Sequence, residues 1–268
     1  MEDFLLIMWK PLLACLVLTG IHAYLGLHVL ERKIVFVDLA LAQIAALGAI
    51  LALLFGVDLH SPVTYWFALT ATFIGAGVLS FARIRNNKIP QEAIIGIIYI
   101  VATALAILVL SQTAEGDEHI RYMMVGNILL VDLSLIIKTI VLYTVVGVIH
   151  WRFQTTFVQI SRQPEKAYQE GKKVRFWDFL FYLTFGAVVT SSVQIGGVLL
   201  VFSYLIIPAV MALLLAKSFR RRLICGWLSG AIVSFIGVFL SFFLNLPTGP
   251  TIVCSFGLAL LIMFLFKR

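Results

Sequence analysis

The sequence predicts an all-α fold, a polytopic transmembrane helical bundle of eight or nine spans. Three observations lead there. The 268 residues are 62% hydrophobic and only 12% charged, with a mean hydropathy of +1.05, whereas about a quarter of a soluble domain is charged. The apolar residues gather in runs close to the ~20 residues a helix needs to cross a bilayer. Between those runs the bases fall in short clusters, on alternate connections.

The runs lie near 4–30, 34–57, 62–82, 92–111, 127–150, 178–193, 197–216, 223–244 and 250–266, the sixth and ninth being short. The first begins almost at Met1, follows Glu2 and Asp3 instead of a basic start, and shows no clear small-residue cleavage site, so it reads as a retained span. Glu31-Arg32-Lys33, Arg83 to Lys88, the 151–177 connection, Lys217 to Arg222 and Lys267-Arg268 can all share one face. The opposite connections, 57–61, 112–121, 190–196 and 245–250, hold Asp58, Glu115, Asp117 and Glu118 but only Arg121 as a base. The positive-inside rule then puts the N-terminus outside and the C-terminus in the cytoplasm. Eight spans result instead if the Gly196-Gly197 or Pro247 to Pro250 region is re-entrant. Residues 1–268 read as one transmembrane domain, without a soluble domain or an internal repeat. The net charge of +7 sits at the ends of apolar runs, as an orientation signal and not as a nucleic-acid stripe. Cys15, Cys225 and Cys254 all lie within apolar runs, which indicates neither a disulfide framework nor a paired-cysteine metal site.

The 151–177 connection is the one long polar segment, and it carries Arg152, Arg162, Lys166, Lys172, Lys173 and Arg175. Within it, residues 163–171 place Pro164 at a first helical turn, good helix formers after it, and Gly171 at the close. That pattern predicts one short, capped surface helix. Its basic setting makes it cytoplasmic, where it offers a grip to a soluble partner.

Inside the apolar runs stand a few polar groups: His22 and His28 in the first, Asp38 and Gln43 in the second, Glu92 opening the fourth, and Asp132 and Lys138 in the fifth. A charge at the bilayer centre costs ~3 kcal/mol or more, so such groups face a cavity or a partner. Asp38 and Glu92 also suit the interface, where Glu92 favours the positive end of a helix dipole. Asp132 and Lys138, six residues apart, do not share a helix face. Neutral histidine is a good ligand for zinc- or manganese-like ions, and equally a hydrogen-bonding partner for a neighbouring helix. Small residues such as Ala42 and Ala46, or Ala71 and Gly75, allow close helix packing. The external stretch Glu115, Gly116, Asp117, Glu118, His119 suits metal capture, docking of an external protein, or a plain solvated turn. No phosphate-binding loop, His-Glu-x-x-His or Gly-x-Ser-x-Gly occurs, so neither nucleotide hydrolysis nor proteolysis is expected here. An ion-gradient-driven carrier or channel working through Asp132, Lys138 and Glu92, and a non-transporting scaffold whose basic loop recruits a partner, are the alternatives to transport powered from elsewhere.

Several stretches recur in order in a known family: Arg32 to Asp38, Glu92 to Ile97, Val125 to Leu129, Gly196 to Ala209, and Leu246-Pro247-Thr248-Gly249-Pro250-Thr251. Over nearly its whole length the chain resembles the membrane permease of bacterial ATP-binding cassette importers for zinc and manganese. The resemblance implies a bundle of the vitamin B12 importer type, working as a homodimer in the inner membrane. Its implied partners are two cytoplasmic ATPases and an extracytoplasmic metal-binding protein. It implies no tightly bound cofactor, only a divalent ion in transit. Pro164, Glu165, Ala167 and Gly171 match the family's coupling helix, which transmits ATP-driven motion. Glu92 falls on a family aspartate. Aligned without gaps from Arg32 to Gly48, the family's second-span aspartate and histidine fall on Leu39 and Gln43, and Asp38 takes a glycine's place. One residue of helix turns a side chain by about 100°, so Asp38 does not simply inherit that role. His22, His28, Asp38, Gln43 and Glu92 are the expected metal path.

Overall fold

The computed structural model describes residues 2–58, 61–82, 90–111 and 126–266. Among them are ten α-helices and one 3-10 turn, Ile128–Leu130. The helices are α1 (Glu2–Arg32), α2 (Val37–Leu54), α3 (Pro62–Phe81), α4 (Gln91–Leu110), α5 (Leu133–Arg152), α6 (Gln154–Arg162), α7 (Pro164–Gln169), α8 (Val174–Leu215), α9 (Phe219–Phe243) and α10 (Thr248–Phe266). Eight are long and apolar enough to cross a membrane.

Two expectations are refined. The sixth and seventh apolar runs share one helix, α8, interrupted where Gly197 adopts φ 72, ψ 171. Gly126, at φ +61, lies against the backbone of Gly196 and Gly197, and a Cβ on it would collide there. The 151–177 connection holds two short helices in place of the single one expected. α6 forms because Phe157, Ile160 and Ser161, three and four residues apart, give it a buried face. Asp132 and Lys138 are exposed, and Asp132 precedes α5 instead of lying within it.

The chain forms two compact units. One comprises Met1–Leu30, Tyr122–Val145 and Ser192–Arg268. In it Gly26 of α1 meets the Leu205 carbonyl of α8 so closely that no side chain fits, the close approach small residues allow in lipid. Leu27, Ala209 and Ala212 pack beside it, with Leu30, Phe219 and Leu223 around them. Tyr204 is fully buried, its hydroxyl 2.6 Å from Ser234 Oγ and its ring edge-on to Phe256.

The other unit comprises Glu31–Arg121 and Val146–Ser191. There Gly48 of α2 lies against Ala71 and the Phe67 carbonyl of α3, and Gly75 against Ile44. Thr72 and Thr190 share a hydrogen bond at 3.0 Å, and Gln91 donates to the Tyr182 hydroxyl at 2.7 Å. Such side-chain bonds tie helices together where lipid offers no hydrophobic drive.

Candidate functional site

The second unit brings two of the expected residues together. Asp38 opens α2 and Glu92 opens α4, each in the first turn of its helix, where the dipole favours an acid. Phe36, the residue before α2, has no side-chain cap, and its N–H donates to Glu92 Oε1 at 2.9 Å. One carboxylate of α4 therefore closes the end of α2, two residues from Asp38, and the two acids act on each other electrostatically. Asp38 is only 2% exposed. Among the described residues, its Oδ1 and the Oε2 of Glu92 are both buried without a hydrogen-bond partner. A buried carboxylate oxygen left open is costly, and two in one place form a strong attractor for a cation. Gln43 is buried on α2. Five steps of about 100° put it roughly 140° around the helix from Asp38, so it faces another direction.

His22 and His28 belong to the first unit, and both are buried. The Leu18 carbonyl, 2.8 Å from His22 Nδ1, can only accept, so Nδ1 carries the proton. Nε2 shares a hydrogen bond with Ser192 Oγ at 3.1 Å, and Ser192 shares another with the Tyr143 hydroxyl at 2.5 Å. The second nitrogen of His22 is thus covered by one hydroxyl. A metal ion would reach it by displacing Ser192. His28 packs edge-on to Tyr24 at 4.7 Å and beside Phe219 at 5.4 Å. Among the described residues no three His, Cys, Asp or Glu side chains form a metal-holding group. Glu115, Asp117, Glu118 and His119 lie outside the described residues.

The short helix α7 matches its sequence signal closely. Pro164 stands at its first position. At its end Gly171 is left-handed (φ +72), with its N–H on the Tyr168 carbonyl at 3.1 Å and the Lys172 N–H on the Ala167 carbonyl at 3.0 Å. That is a Schellman closure, which glycine at this position permits. Ala167 is fully buried against Ile160 of α6 and Val174 of α8, while Glu165 and Lys166 point outward. Gln159 donates to Glu170 at 2.7 Å and accepts from Lys172. This bond, with help from Lys172 and Lys166, holds the Glu170 carboxyl below its ordinary range. Beside it runs an open groove of about 510 Å³ lined by Thr155, Gln159, Arg162, Lys166 and Glu170.

Sequence reasoning missed the anchor of this cassette. Arg32 at the end of α1 donates through Nε to Ser161 Oγ of α6 at 2.9 Å and through NH1 to Asp178 Oδ1 of α8 at 2.7 Å. Its guanidinium lies 3.9 Å above the Phe181 ring. Asp178, an acid just beyond a basic loop, was the available signal.

Eight crossing-length helices, buried polar groups inside them and a braced polar cassette outside define a multi-pass membrane protein. The chain belongs to the ABC 3 transport family, whose profile matches residues 5–267. It is 27% identical over 262 residues to a probable iron transport system membrane protein of Haemophilus influenzae, covering 97% of this chain and 90% of that one. It is 25% identical over 258 residues to the manganese transport system membrane protein MntC of Listeria monocytogenes, covering 96% and 89%. Its fold is that of PsaBC from Streptococcus pneumoniae, solved in complex with Fab, with a TM-score of 0.80 at 22% identity, covering 98% of this chain and 94% of that one.

Proposed function

We propose that this chain is the permease subunit of an ATP-driven importer of divalent transition metal ions. It works as a homodimer in a bacterial plasma membrane, N-terminus outside and C-terminus in the cytoplasm. A separate ATPase drives it and an extracytoplasmic metal-binding protein delivers the ion, with Glu115, Asp117, Glu118 and His119 at the docking or capture face. The metal path comprises His22, His28, Asp38, Gln43 and Glu92, and Pro164, Glu165, Ala167 and Gly171 form the coupling helix.

The open carboxylate oxygens of Asp38 and Glu92 carry the metal reading. Two acids balance a 2+ charge, and oxygen donors suit manganese better than zinc. Names of relatives in manganese and iron transport point the same way. A transport site needs few ligands, because it must release what it binds. ATPase closure pressing on α7 opens the inner side, and no hydrolytic step belongs to this chain.

The test is cellular content of manganese, iron, cobalt, nickel, copper and zinc in cells expressing the chain with its ATPase and binding protein. A hydrolysis-dead ATPase is the control. A rise in manganese or iron that vanishes with the dead ATPase is expected. No ATPase-dependent change in any metal, with all three proteins assembled, sinks the metal reading, and uptake without any ATPase favours the gradient-driven carrier.

A further inference from the structure

The second unit's cytoplasmic-loop cassette converges on one side chain, which orientation alone does not explain. Arg32 is 3% and Asp178 0% exposed. A basic residue that served only as a positive-inside signal would stay in water. Instead Arg32 grips α6 through Ser161 and α8 through Asp178, and it stacks on Phe181. Next to it Glu31 accepts from Arg162, the last residue of α6, at 2.9 Å. His150, near the end of α5, stacks on Phe157 of α6 at 4.2 Å and 4° and shares a hydrogen bond with Thr184 of α8 at 2.9 Å.

Among the described residues the chain leaves this unit inside three helices, α1, α5 and α8. All three have their ends bound to α6 or to one another in this cluster. α6 is in turn welded to α7 by Ile160 on Ala167 and by the Gln159–Glu170 bond. A displacement of α7 therefore has a short route, α7 to α6 to Arg32, into the end of α1, whereas α8 is also reached directly where Ala167 packs on Val174. One arm of the fork is open: Arg32 NH2 is buried and has no hydrogen-bond partner among the described residues. A static brace would satisfy that donor, because a buried charged donor left unmade is costly. An open arm fits a fork that exchanges partners as the helix ends shift.

We propose that Arg32 is a positioning residue of the transport cycle, the joint through which movement of α7 reaches α1. The proposal rests on the reading that an ATPase acts on α7. Two variants cut the joint without leaving Asp178 unpaired. Ser161→Ala removes the link to α6 alone. Arg32→Lys keeps the charge but loses the fork and the ring stacking.

The experiment uses the complete transporter with its ATPase and binding protein in liposomes. Hydrogen exchange is followed along the permease with and without ATP on a hydrolysis-dead ATPase, and ATP consumed per ion imported is measured with the active one. In the wild type ATP is expected to alter exchange in α6, α7, the end of α1 and the start of α8. In both variants the change is expected to weaken at the end of α1 while α6, α7 and the start of α8 keep it, and ATP consumed per ion to rise about five-fold or more, the scale of an ordinary coupling between sites. A purely structural role would lower thermal stability without changing that ratio. The joint is overturned if ATP-dependent exchange spreads equally in the variants, if it never leaves α7 in the wild type, or if both variants keep the wild-type ratio. Exchange that spreads as expected while the wild type imports no metal would sink the metal reading and leave the joint standing.

Discussion

The Asp38–Glu92 pair and the Arg32 cluster both bury charge in the same unit, and they treat it in opposite ways. Arg32 is held by an acid, a hydroxyl and an aromatic face. The two carboxyls share no base among the described contacts, and each keeps one buried oxygen open. The first arrangement balances its charge against Asp178 and joins helix ends, and the second holds an unmet demand for positive charge. Burial alone does not separate them. A partner of opposite charge does.

Breaking the charge-balanced region should cost the fold most. Arg32→Met removes the base that faces Asp178 in a dry site, with the bond to Ser161, and stability is expected to fall by about 3–5 kcal/mol, the usual effect of halving a buried pair. Thermal unfolding in detergent reads this, and an unchanged transition would mean that water reaches Asp178. Asp38→Asn with Glu92→Gln should do the reverse. Glutamine keeps an acceptor for the Phe36 N–H, so stability holds or rises, while ATP-dependent metal uptake falls about 10–100-fold, as when metal-site residues are altered elsewhere. Normal uptake with both amides present would remove the pair from the path.

Smaller effects refine the cassette. Gly171→Val forces a β-branched residue into a left-handed turn and should cost about 1–3 kcal/mol, seen as proteolytic cleavage near residue 171 at lower temperature. Smallest is a pH effect at Glu170. Its carboxyl is depressed below the ordinary 4.5, so the clasp contributes fully above that value and fades as pH falls through the lower folded value. Lower protection of the Lys172 amide on acidification, taken relative to its intrinsic exchange rate at each pH, checks this, and Glu170→Gln should abolish the pH dependence.

Much of this was legible from sequence because it is local. Pro164 and Gly171 bracket one turn and a half of helix, and the apolar runs mark the long helices by length alone. Asp38 and Glu92 stood out because an acid in an apolar run is expensive wherever the chain goes. What escaped depends on distant pairing. Arg32 meets Asp178 across 146 positions and His22 meets Ser192 across 170, and no periodicity reports such contacts. Arg32 was misleading in particular, since a base at a helix end satisfies the orientation rule whether or not it is buried. The union of two apolar runs into α8 was hidden for another reason. A glycine pair reads as a turn, yet only Gly197 leaves helical geometry.

That one residue also governs the parity of the topology. The 42 residues of α8 are about twice the ~20 that one crossing needs. Traversed in one stroke, α8 makes the total even and leaves both ends of the chain on the same side. Traversed in two strokes meeting at Gly197, it makes the total odd, and every connection after it, including the Lys217 to Arg222 cluster, changes sides. The left-handed backbone at a single glycine is therefore worth a compartment to everything downstream of it.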